Sequence, residues 1–74
     1  MVNVFLSLHG QTRAIERKID IHEAKKIAKQ GKIVKIDKDG SLIKEGVVNG
    51  RKLMVICKDL GKKGIMIITT YYEY

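Results

Sequence analysis

Proline is absent from this chain, cysteine occurs once and histidine twice. The single cysteine, Cys57, excludes an internal disulfide, and with no secretory address a cytoplasmic setting is the default expectation. No stretch approaches the ~18 consecutive apolar residues of a membrane helix. The opening "VNVFLSL" has neither a basic start nor a small-residue cleavage site, so it does not read as a signal peptide. His9, His22 and Cys57 are too few and too scattered for any zinc spacing, and no metal or cofactor is expected. The glycines fall in turns rather than in a loop cradling phosphate ahead of a helix. Two histidines give no basis for a Ser-His-Asp arrangement.

What the chain does have is positive charge. Fifteen lysines and arginines face eight acids, for a net charge of +7 over 74 residues. The excess is spread along the sequence rather than gathered in a tail. A basic surface on so small a domain favours polyanion partners, because each phosphate contact releases counterions. RNA or the ribosome fits that description, and a membrane does not enter the reading. With 45% hydrophobic and 31% charged residues, the composition is that of an ordinary globular domain.

Residues 1–74 form a single domain in this reading, helical first and extended after. Ser7 is a plausible N-cap for a helix over residues 8–18. In "DIHE", Asp20 caps a second helix with Glu23 three residues on, a carboxylate version of the capping box. Ile21, Ala24, Ile27 and Ala28 give that helix its apolar stripe, and Gly31 supplies a left-handed stop. From Lys32 the period becomes two. "KIVKI", "SLIKEGVV", "RKLMVICK" and "IMIITTYY" are strands, joined by Asp39-Gly40, by Asn49-Gly50 and by "DLGKKG". The fold class is therefore α+β: two N-terminal helices packed on a four-stranded antiparallel meander.

The last two strands are apolar on both faces. Leu53, Val55 and Cys57 alternate with Met54 and Ile56, and Ile65 and Ile67 alternate with Met66 and Ile68. Helices on one side cover one set, which leaves the second face for a homodimer mate or another protein.

The chemistry concentrates in "HGQTRAIERKI", from His9 to Ile19. Residues four apart on a helix drift by only about 40°, so His9, Arg13 and Arg17 form one stripe. Leu8, Thr12 and Ile15 mark the expected buried face, and the stripe lies beside and behind it. Arg13 and Glu16 can pair across three residues. The bland reading is a solvated charged face. The sharper one is a phosphate-binding edge, in which arginine forks hold a phosphate and its developing charge. His9, near the helix N-terminus and beside arginines, would be a neutral imidazole able to accept a proton from a ribose hydroxyl.

The pattern H-x-x-x-R-x-x-x-R-x-I (His9, Arg13, Arg17, Ile19), then Gly50-Arg51, then Ile68-Thr69 with Tyr71, covers almost the whole chain. It resembles a small bacterial and archaeal domain of unknown function, a family usually placed beside the BrnT and RelE/ParE-type toxins. The resemblance implies a RelE-like fold and a ribonuclease toxin held inactive by an antitoxin-like protein. It implies a catalytic set of His9, Arg13, Arg17, Arg51 and Tyr71, with Tyr71 stacking or transferring a proton. Arg13, Arg17, Lys18, Arg51 and Lys52 would contact nucleic acid. The alternative is a non-catalytic module that binds nucleic acid or protein through the same face. Two positions depart from the pattern: Gly10 stands where alanine is usual, and Lys18 where glycine is usual.

Overall fold

The computed structural model describes residues 3–73; Met1, Val2 and Tyr74, included in the single domain expected over 1–74, lie outside the described residues. The chain runs through β1 (Val4–Leu6), α1 (Leu8–Glu16), α2 (Ile21–Gln30), β2 (Lys32–Ile36), β3 (Leu42–Val48), β4 (Arg51–Asp59), a 3₁₀ turn at Gly61–Lys63 and β5 (Ile65–Tyr72). The strands form one sheet in the order β1-β5-β4-β3-β2.

The antiparallel meander over β2–β5 is present, but the sheet is mixed and has five strands, not four. β1 precedes both helices and runs parallel to the first half of β5, pairing Val4–Leu6 with Ile65–Ile67. Three residues are too few to display a period of two, and their partner lies about sixty positions away. No local pattern announces such a strand.

The turns follow their chemistry. Asn49 and Gly50 both have positive φ, 52° and 78°, as a tight hairpin between right-twisted strands requires. In the β2–β3 turn the Asp39 carboxylate accepts from the Ser41 backbone N–H, and this holds the Asp39 carboxyl below its ordinary pKa. Gly31 does stop α2, but with extended backbone (φ −67°, ψ 161°) rather than the left-handed geometry expected. Its requirement is room: a Cβ there would collide with the Ile27 carbonyl and side chain and crowd the Glu45 carbonyl.

α2 lies on one face of the sheet. Ala24, Ile27 and Ala28 are buried and join Leu53, Val55, Cys57 and Ile67 in the core, while Ile21 at the helix start is 37% exposed. Gly46 on β3 admits the Ile27 side chain, which would overlap any Cβ at that position. Lys44, 8% exposed, spans the same interface, and its Nζ donates to the Ala28 carbonyl at 2.6 Å. A cation there satisfies a carbonyl in the last turn of the helix and complements its dipole.

The alternation raises the expectation of a partner on the opposite face of the sheet. There Met54 is buried at 6% exposure, and Ile43, Ile56 and Met66 are half-buried. The most exposed aliphatic side chains are Leu8 and Ile15 on α1, Ile36 on β2 and Val47 on β3, and of these Val47 shares the opposite face with Ile43 by strand alternation. No helix among the described residues is long and apolar enough to cross a membrane.

Candidate functional site

β1 covers only the first half of β5, so among the described residues no strand neighbours residues 68–72 on that side. Their carbonyls need donors, and α1 supplies them. The Ser7 backbone N–H donates to the Ile67 carbonyl at 2.9 Å, and its hydroxyl to the Ile68 carbonyl at 3.2 Å. The same oxygen accepts from the Gly10 N–H as the helix N-cap. At the other end of α1, Arg17 Nη1 donates to the Thr70 carbonyl at 2.7 Å. The helix therefore closes the open sheet edge in place of a sixth strand.

This arrangement overturns the expected facing of α1. Leu8 is 81% and Ile15 74% exposed, and the buried positions are Gly10 and Ala14. The cause is close approach. A Cβ on Gly10 would come within 2.6 Å of the Ile67 carbonyl oxygen, so only the smallest residues fit against the strand. Turning Gly10 and Ala14 inward swings the His9–Arg13–Arg17 stripe to the border of the sheet and sends Leu8 and Ile15 to solvent.

The structure brings five of the nominated residues together. His9, Arg13, Arg17, Arg51 and Tyr71 border one cleft of about 740 Å³, completed by Thr69, Tyr72 and Glu73. Lys18 and Lys52 are exposed and do not line it. Thr69 stands in the Ile68-Thr69 pattern but was not nominated for the site, and Tyr72 and Glu73 had no signal of their own in the sequence. They are there because β5 runs on past β1, with the Glu73 N–H still pairing to the Lys52 carbonyl.

Within the cleft the cations are held by neighbours. Arg13 Nη1 pairs with Glu16 Oε2 at 3.1 Å, and Arg13 Nε donates to His9 Nε2 at 3.4 Å. Arg51 lies over the Tyr72 ring, 4.2 Å from its centroid, a cation–π stack that fixes the tyrosine plane at the cleft wall. Arg17, bonded to the Thr70 carbonyl, also lines the cleft.

Among the described residues no cluster of histidine, cysteine or acids could hold a metal ion. Cys57 is fully buried in β4, away from the cleft. Burial pushes its thiol above the ordinary range, which keeps it protonated and inert at neutral pH.

No curated protein and no solved structure matches the chain. One family does match, over residues 6–72, a span that takes in the whole cleft except Glu73. The chain belongs to that family, the domain of unknown function DUF4258.

Proposed function

We propose that this domain acts on RNA, as a toxin-like ribonuclease whose site is the cleft between α1 and the second half of β5. This reading extends the sequence resemblance to BrnT and RelE/ParE-type toxins from the family to its activity and to a RelE-like fold. One observation carries it: His9, three arginines and two tyrosines share a single cleft on a domain of net charge +7. Guanidinium forks suit phosphate oxygens, and tyrosine rings suit unpaired bases, so single-stranded RNA is the natural occupant.

The chemistry follows from the hydrogen bonds. An incoming phosphate competes for Arg13, and the guanidinium that turns toward it releases His9 Nε2. The freed nitrogen takes the proton of a ribose 2′-hydroxyl, whose oxygen attacks the adjacent phosphorus to form a 2′,3′-cyclic phosphate. The P–O5′ bond breaks, and the 5′-oxygen takes a proton from the Tyr71 hydroxyl, itself reprotonated from water. Arg13, Arg17 and Arg51 meet the charge that develops on the phosphoryl oxygens. An antitoxin-like protein would silence the domain by covering the cleft.

The second reading, a non-catalytic binding module, is favoured by the same Arg13–His9 bond. It leaves His9 without a free acceptor at the ring edge facing Arg13.

Expression of the chain alone separates the two. The ribonuclease reading expects growth arrest with RNA breakdown, relieved by His9→Gln while RNA binding is retained. Healthy growth with intact RNA would sink it. Both readings expect salt-sensitive RNA binding. Three phosphate contacts imply about a twentyfold loss of affinity between 50 and 200 mM salt. Binding indifferent to salt would remove both.

A further inference from the structure

The cleft proposed to hold RNA contains one group that works against phosphate. Glu73 borders it together with Arg13, Arg17 and Arg51. Among the described residues its carboxylate makes no hydrogen bond or ion pair, whereas Glu16 on α1 is held by Arg13. The Glu73 side chain is exposed and takes no part in the core. Its backbone is fixed nonetheless, because the N–H donates to the Lys52 carbonyl at 2.9 Å. A carboxylate repels the phosphates that three guanidiniums draw in. The parts of RNA that can donate to it are the ribose hydroxyls and the base edges. His9 takes the ribose hydroxyl in the mechanism above, which leaves a base edge for Glu73.

Strand geometry places that edge. Side chains alternate along β5, so Thr69, Tyr71 and Glu73 share one face, with Ile56 and Met54 opposite the first two on β4. Tyr72 packs on the core side, with Arg51 over its ring. Glu73 therefore follows Tyr71 by two residues, about 7 Å, on the same face. Tyr71 gives its proton to the 5′-oxygen, so the nucleoside carrying that oxygen is the neighbour of Glu73.

The donors of the base decide which one fits. A carboxylate offers two oxygens that only accept. Guanine presents N1–H and the N2 amine side by side, one for each oxygen. Adenine and cytosine set a single amine beside a ring nitrogen that accepts, and that nitrogen would face a carboxylate oxygen. Uracil sets its one N–H between two carbonyls. We infer that Glu73 selects guanine as the base bound in this cleft. The inference rests on the function proposed above, in that RNA occupies the cleft.

The test uses the whole chain and labelled octanucleotides of 2′-O-methyl uridine, which have no 2′-hydroxyl to attack phosphorus. Each carries one central guanine, inosine, adenine, cytosine or uracil. Fluorescence anisotropy at low salt should show the guanine oligonucleotide bound about fivefold or more tighter than those with adenine, cytosine or uracil. Inosine, which lacks the amine, should fall between. Glu73→Gln replaces one acceptor with a donor and should abolish the preference, while the all-uracil oligonucleotide binds at least as tightly as before. Circular dichroism checks that the variant keeps its fold. Equal binding of every base, still salt-sensitive, would overturn the inference and leave the proposed function standing. A guanine preference that survives Glu73→Gln would also overturn it, as would inosine bound as tightly as guanine. No binding of any oligonucleotide would remove the inference together with the function it rests on.

Discussion

The two helices differ in what holds them. α2 sits on a sheet face, and its orientation follows its apolar stripe: Ala24, Ile27 and Ala28 go inward because burying them removes the most apolar surface from water. α1 sits on a sheet edge, where a row of carbonyls without a strand partner outweighs the burial of two aliphatic side chains. It turns Gly10 and Ala14 inward and leaves Leu8 and Ile15 in water. An apolar stripe marks the core only where a helix has a face to lie on. At an edge the smallest residues mark the contact, and hydrophobicity is uninformative.

Truncation should expose this contrast most sharply. Ile27→Ala removes a side chain seated against Gly46 and should cost about 2–4 kcal/mol in urea unfolding. Ile15→Ala, equally hydrophobic in sequence, should change stability by no more than about 0.5 kcal/mol. A cost at Ile15 approaching that at Ile27 would mean that α1 also packs through its apolar side.

The two arginines of α1 give the next test. Arg17→Gln takes the charged donor from the Thr70 carbonyl, a bond at the part-buried strand edge, and should cost about 1–2 kcal/mol. Arg13→Gln breaks an exposed i,i+3 pair and should cost less than about 0.5 kcal/mol. RNA affinity should fall in both variants if the cleft binds phosphate. Arg17 is thus the less clean probe of function, because its loss loosens the helix from β5. Equal stability of the two variants would show that edge closure does not need Arg17.

These differences explain what was legible in advance. Signals carried by adjacent residues survived into the structure: the Ser7 and Asp20 caps, the Asn49-Gly50 hairpin and the α2 stripe at Ala24, Ile27 and Ala28. Features that depend on distant parts of the chain did not show. β1 exists because of β5, and α1 faces as it does because β1 is short. The cleft was half legible. Helical spacing put His9, Arg13 and Arg17 on one stripe, and the resemblance added Arg51 and Tyr71. Thr69 belonged to the pattern without a role assigned, and Tyr72 and Glu73 join them through strand register alone.

The smallest effect concerns the departure from the family pattern at residue 18. Lys18 has φ of 54°, in the left-handed region, where α1 ends and the chain turns toward α2. The Lys18 N–H donates to the Ile15 carbonyl and the Ile19 N–H to the Ala14 carbonyl, so the backbone closes the helix through this one residue. A lysine pays a steric cost for that conformation that glycine does not, and glycine is the residue usual there in the pattern. The lysine side chain is exposed and has no part in the cleft. Removing it therefore sets only the relief of backbone strain against the greater freedom of glycine in the unfolded chain. Lys18→Gly should raise stability by about 0.5–1 kcal/mol, read as a higher urea midpoint with unchanged slope. A lower midpoint would mean that Lys18 makes a stabilising contact outweighing its backbone, and that α1 is closed by a side chain rather than by geometry.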